Sequence, residues 1–236
     1  MAWVGVLGEP VRLRLYRYVA ARGVPVGRAE AAEAAGIQRT LAAFHLDRLA
    51  EAGLLDVVYR RTSGRAGPGA GRPAKLYLRS PEEHSLSLPP RAYDAAAEVF
   101  AEAIEAAGAE PELHAAARAH GEREGRAARH RLTSAAATQD AEGAAAMLCA
   151  ALAERGYEPY TDQETGTLRL RNCPFHRIAR DFPPLTCGMN HELLAGFVAG
   201  AGARGVSVRM DPRPGECCVA IATAATSGTR SKNNND

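Results

Sequence analysis

No run of apolar residues in this sequence approaches the ~18 to 20 that a membrane-spanning helix needs, so no membrane association is expected. The opening stretch MAWVGVLGEPVRLRLYRY is broken by Glu9, Arg12, Arg14 and Arg17, which leaves no continuous apolar core of a secretory signal. A cytoplasmic protein is expected, in a compartment where thiols are normally reduced. The glycine-rich run GRAGPGAGRP lacks the Gly-Lys-Ser/Thr ending and the following helix of a phosphate-binding loop. No His/Asp partner set and no cofactor fingerprint accompanies the cysteines, so the chain reads as a non-enzyme.

Aromatic residues are scarce, at 6%, and alanine, arginine and glycine are plentiful. At 236 residues there is room for two ordinary domains. The small net charge of +2 hides an asymmetry. Residues 1–80 carry 13 Lys and Arg against 6 Asp and Glu, and the remaining 156 carry 16 against 21. A basic head on an acidic body is the charge layout of a nucleic-acid-binding domain joined to a domain with another job.

Within the basic head, EPVRLRLYRYVAARG spaces Val11, Leu13, Leu15, Tyr16, Val19 and Ala20 as a helical stripe that ends at Gly23. VGRAEAAEAAG reads as a short helix stopped by Gly36, since glycine readily takes the left-handed conformation that ends helices. IQRTLAAFHLDRLAEAGLL follows as a third helix, with Ala42, Leu46, Leu49 and Leu54 inward and Gly53 as its break. Two short helices joined by a tight glycine turn form a helix-turn-helix pattern. Behind them a strand (Val57, Val58, Tyr59), a glycine-rich tip and a return strand (Leu76, Tyr77, Leu78) predict a wing. Arg60, Arg61, Arg65, Arg72 and Lys75 give that wing five positive charges within sixteen residues, suited to the phosphate backbone or minor groove.

GIQRTLAAFHLDRLAEAGLL followed by GRAGPGAGRPAKLYLRS resembles the winged-helix domain of ArsR-type bacterial transcriptional regulators, and the wing is especially like that of the SufR-like branch. The resemblance covers about residues 5–80. It implies that the helix from Ile37 enters the major groove of double-stranded DNA, which makes Gln38, Arg39, Thr40 and Ala43 the base-edge candidates and Arg48 a phosphate contact. His45 is open between a DNA role and a packed, hydrogen-bonded place beside Leu46 and Leu49.

RAYDAAAEVFAEAIEAAG repeats Tyr93, Ala96, Val99, Phe100 and Ile104 at helical spacing, and a more polar helical stretch, PELHAAARAHGEREGRAARHRL, follows. Such segments commonly form dimer interfaces in winged-helix regulators, where two-fold symmetry matches a palindromic operator. His114, His120 and His130 stand six and ten residues apart, on different turns, and read as surface residues. TSAAATQD reads as a linker.

All five cysteines lie beyond residue 139. Cys149 lies within a helix over AEGAAAMLCAALAERGYEP and reads as a small core residue. Cys173 is expected between a strand and the helix HRIARDF, which Pro183-Pro184 closes; Cys187 is expected just before the helix GMNHELLAGFVAGAG. Cys217 and Cys218 are expected on the return strand of a final hairpin, where adjacent residues point to opposite faces. These spacings suit neither the C-x₂-C pairs of a zinc ribbon nor the tight ferredoxin run. Three separated positions suit a metal or cluster held between elements, with His176, His191, the second thiol of the pair or a solvent molecule as a fourth ligand.

NCPFHRIARDFPPLTC and PGECC are similar to the pattern by which SufR-like repressors hold an iron–sulfur cluster in the C-terminal domain, although CGMN and the doubled cysteine depart from it. They also resemble the broader vinyl-reductase-like sensory domains, which carry metals or small organic ligands. The resemblance implies Cys173, Cys187 and Cys218 as ligands of a 4Fe-4S cluster, with Cys217 and His176 beside them, or of zinc in its place. The whole reads as an α+β chain: a winged helix-turn-helix over 1–82, a helical connector for homodimerisation over 83–138, a sensory domain over 139–225 and a disordered tail over 226–236. Its expected function is cluster-controlled repression of transcription, with a zinc- or thiol-based regulator as the alternative.

Overall fold

A computed structural model of the chain describes residues 2–61, 73–133 and 141–223. Arg65 and Arg72 of the wing tip, most of the TSAAATQD linker and the 226–236 tail lie outside the described residues. The chain divides into two compact units, Met1–Pro90 and Arg91–Asp236. Helices and two antiparallel sheets make each an α+β assembly. Among the described residues no helix is long and apolar enough to cross a membrane.

The first unit opens with α1 (Ala2–Leu7) and α2 (Pro10–Arg22). Pro10 suits the first turn of α2 because its missing N–H needs no partner there. The Glu9 carboxylate caps that helix by accepting from the N–H of Val11 at 3.0 Å and of Arg12 at 2.7 Å. After β1 (Val26–Gly27) come α3 (Arg28–Ala35) and α4 (Arg39–Glu51), joined through Gly36 in the left-handed conformation at φ 63°. β2 (Leu55–Arg60) and β3 (Ala74–Arg79) complete a sheet of order β1-β3-β2, with Val57 opposite Tyr77. Ala42, Leu46, Leu49 and Leu54 are all buried, and Leu15, Val19 and Tyr77 meet them in one core.

In the second unit, α5 (Tyr93–Ala107) and α6 (Glu110–Thr133) precede α7 (Ala141–Ala153). β4 (Pro159–Thr161), β5 (Leu168–Leu170), β6 (Val206–Met210) and β7 (Val219–Thr223) form a sheet of order β4-β5-β7-β6. α8 (His176–Asp181) and α9 (Pro183–Ala201) lie between β5 and β6 in the chain. Leu148, Leu152, Tyr157, Leu170, Leu194, Phe197 and Ile221 build the core. The segment read as a connector is split: residues 83–90 fall in the first unit, whereas α5 and α6 fall in the second.

α6 and α9 touch backbone to backbone. A Cβ added at Gly121 would stand 2.8 Å from the Phe197 nitrogen, and one at Gly125 would stand 2.7 Å from the Ala201 nitrogen. Reciprocally, Cβ atoms at Gly196 and Gly200 would lie 2.9 Å from the carbonyl carbons of Arg118 and Glu122. Two G-x-x-x-G pairs therefore face one another, and only glycine on both sides permits that approach. The helices run parallel, because His114 lies at Gly188, Arg118 bonds Glu192 at 2.7 Å, and Arg129 lies at Gly202.

Two boundaries differ from the sequence expectation. Pro183-Pro184 starts α9 as well as stopping α8, because proline is as favourable in a first turn as it is disruptive inside a helix. Cys187 consequently sits inside α9 and not ahead of it. Cys217 and Cys218 precede β7 in a turn, so the opposite-faces rule for strands does not govern them.

Candidate nucleic-acid interface and thiol centre

α4 presents its candidate residues outward. Gln38, Arg39, Thr40 and Arg48 are exposed, and Ala43 is half-buried. Arg48 is held by Glu51 at 3.0 Å, a pair exposed enough to exchange for a phosphate at little cost. At the base of the wing Arg60 and Arg61 are exposed. Lys75 is already engaged within the unit: its ammonium donates to the Asp47 carboxylate of α4, to which the Tyr77 hydroxyl also donates at 2.6 Å. Burial pushes the Asp47 carboxyl up, but these two donors outweigh it and hold the pKa below the usual carboxylate range. The lysine thus ties the wing to the reading helix, and its charge is already compensated.

His45 is buried, with the Glu9 carboxylate 3.8 Å from its Nδ1. Among the described residues that nitrogen has no hydrogen-bond partner, and of the two places left open for His45 the structure shows the packed one. The sequence reading passed over Leu41 and Phe44, which are 43% and 56% exposed. Their signal was available: both fall outside the inward set Ala42, Leu46 and Leu49 of the same helix.

In the second unit the chain gathers four thiols as two pairs. Cys173 follows β5, Cys187 lies in α9, and Cys217 and Cys218 lead into β7. The sulfurs of Cys187 and Cys218 stand 3.1 Å apart. Cys173 neighbours Cys217, whose sulfur receives the Asn190 amide at 3.3 Å. The Tyr157 hydroxyl fixes that amide by donating to its Oδ1 at 2.6 Å. The neighbouring Cys173 thiol leads in lowering the Cys217 pKa to about 7, against the opposing effect of burial. Cys173 is driven up by the neighbouring Cys217 thiol and by burial. Burial, with Cys218 beside it, pushes Cys187 up to about 12. Cys149 is half-buried on α7 against the core, and burial raises its thiol too.

A buried cation steadies the turn that carries the cysteine pair. Arg169, 1% exposed, donates to Glu216 at 2.6 Å and to Asp211 at 2.8 Å. Tyr160 donates to the other oxygen of Glu216, and the Cys217 N–H bonds the Leu170 carbonyl at 2.9 Å. Nothing in the sequence pattern marked Asn190, Tyr157 or Arg169, because their roles arise only across chain segments far apart in sequence.

Neither histidine candidate joins the thiols. His176 is exposed at the start of α8, and His191 is engaged by Glu192 at 3.0 Å and by the Val208 carbonyl at 3.3 Å. Among the described residues no group of three or more His, Cys, Asp or Glu stands in metal-holding geometry. Two ligands of one tetrahedral zinc lie about 3.8 Å apart, given Zn–S bonds of about 2.3 Å, so Cys187 and Cys218 are packed closer than ligands would be. The donor set of four thiols nevertheless fits a thiophilic metal or cluster in kind and number, once the pairs open.

With the reading helix, the wing strands and their cations in place, the first unit is a winged helix-turn-helix domain. Residues 7–58 match the family described as a helix-turn-helix domain, and the match supports a DNA-binding transcription regulator of the winged-helix, ArsR-like kind. No curated protein and no solved structure matches this chain.

Proposed function

We propose that the chain is a homodimeric repressor whose hold on a palindromic operator is controlled by a 4Fe-4S cluster on its C-terminal cysteines. The observation that carries this reading is the gathering of Cys173, Cys187, Cys217 and Cys218 from three separate chain segments. Cys173, Cys187 and Cys218 would hold the cluster, and Cys217 is better placed than the exposed His176 as the fourth donor. Such a cluster supplies a crosslink that oxidants or nitric oxide destroy. The protein's part is to pass on that loss: Cys187 rides on α9, and α9 lies against the backbone of α6 at Gly196 and Gly200.

Dimerisation is supported by α5. Tyr93, Val99 and Phe100, at 73%, 60% and 66% exposure, line one side of it with Ala96 and stand uncovered among the described residues of the second unit. Asp94, Glu98, Glu102 and Glu105 occupy another side. An apolar stripe left open on an amphipathic helix calls for a partner, and a two-fold copy would set two reading heads on two half-sites.

One observation favours a second reading. The 3.1 Å approach of Cys187 and Cys218 suits a thiol switch, in which peroxide takes two electrons and two protons from the pair, leaving a disulfide and water. Iron, zinc and acid-labile sulfide assays on protein purified without oxygen, repeated on C173A, C187A, C217A and C218A, decide the matter. Four irons and four sulfides per chain, lost in the variants, bear out the cluster. Zinc without sulfide supports a zinc regulator; metal-free protein with a reversible Cys187–Cys218 disulfide supports the switch.

A further inference from the structure

We propose that Phe44, with Leu41 beside it, reads thymine C5-methyl groups in the major groove and so makes A·T pairs part of the operator's identity. The inference rests on the DNA-binding reading of α4 and goes beyond it to the bases selected. Phe44 is 56% exposed and Leu41 43% exposed on a helix whose other large apolar residues, Leu46 and Leu49, are fully buried. Its ring meets only His45 edge-on, at 5.3 Å between centroids, among the described aromatic contacts. Folding gives neither side chain a reason to be apolar.

Their surroundings name the occupant. Thr40 and Ala43 border Phe44 on the outward side of α4, with the exposed cations Arg39 and Arg48 near them on the helix. Residues 1–80 carry 13 basic against 6 acidic side chains. An apolar tip on a cationic unit suits a partner that is polyanionic yet offers an apolar feature at its floor. In the major groove that feature is the thymine methyl, which the other three bases lack there. Three residues of helix rise about 4.5 Å, close to one base step of about 3.4 Å. Leu41 and Phe44 can therefore meet methyls on neighbouring base pairs.

The test begins with selection of binding sites from random duplex DNA by the full-length protein. Each selected thymine is then replaced by deoxyuridine, which removes the methyl and leaves base pairing unchanged. The expected result is a fixed A·T position in each half-site at which deoxyuridine weakens binding about fourfold, the factor for one buried methyl-sized group. Phe44→Ala should bind the thymine site more weakly, become indifferent to the replacement, and keep the slope of affinity against salt, since phenylalanine touches no phosphate. Phe44 is exposed, so the variant should melt with the wild type; the deoxyuridine arm on wild-type protein stands even if it does not. Indifference of wild-type protein to every deoxyuridine, or equal sensitivity in Phe44→Ala, overturns the inference and leaves DNA binding intact. Failure of the wild type to bind any duplex in a salt-dependent way overturns the DNA-binding reading itself.

Discussion

Replacing Gly196 by alanine should separate two helices that now touch. The added Cβ would collide with the carbonyl oxygen of Arg118 and lie 2.9 Å and 3.1 Å from that residue's carbonyl carbon and Cα. All three are backbone atoms of a 24-residue helix, so no side chain can swing aside. Overpacking of this kind costs about 1–3 kcal/mol, and the parallel contact from Gly188 to Gly202 places the cost at the upper end. Alanine returns up to about 1 kcal/mol through its better helix propensity, which leaves a net loss of about 2 kcal/mol. With a urea m-value of about 2 kcal/mol/M, the midpoint should fall by about 1 M.

Gly5 provides the control, because an added Cβ there meets nothing within 4 Å. Gly5→Ala should stabilise by up to about 1 kcal/mol, the opposite sign. The single tryptophan, Trp3, packs in the first unit, so its fluorescence follows that unit while far-ultraviolet circular dichroism follows both. Gly196→Ala should shift the dichroism transition and leave the Trp3 transition in place. A Gly196→Ala protein as stable as the wild type would refute the backbone-to-backbone contact.

The salt dependence of DNA binding should separate the wing's cations: Arg60→Ala and Arg61→Ala each lower the slope by about one. Lys75→Ala should leave that slope unchanged while costing about 1 kcal/mol of stability through the lost bond to Asp47. Arg169→Met should destabilise the second unit by about 1–3 kcal/mol in chemical denaturation, because Asp211 and Glu216 lose their charged hydrogen-bond donor. Burial raises both carboxyls, but the arginine and its fellow donors prevail and hold them below the usual carboxylate range. Their stabilisation is therefore complete above the ordinary carboxylate pKa and lost as pH falls through the lower folded values. Acid titration followed by dichroism should show that loss in the wild type and a shallower one in Arg169→Met.

The first unit was legible because its signals are local. Gly23 and Gly36 end helices whose apolar residues recur at 3.6-residue spacing, and the same spacing named Ala42, Leu46 and Leu49 as inward. Charge could be counted but not paired: nothing in the chain order reveals that β3 sets Lys75 against Asp47. Pro183-Pro184 misled because proline ends one helix and begins another under the same steric rule. Phe44 was overlooked although its position in the helical repeat already placed it outward.

By its sequence alone this protein was determined to be a basic helix-turn-helix head on an acidic, cysteine-bearing body, since periodicity, glycine stops and charge balance act between near neighbours. Tertiary structure decided which thiols meet, that Asn190 and Tyr157 attend Cys217, that a strand arginine is buried, and that four glycines bring α6 and α9 into backbone contact. The physical reason is range: a hydrogen bond or steric contact is set by separation in space, and chain order does not encode the separation of residues dozens of positions apart.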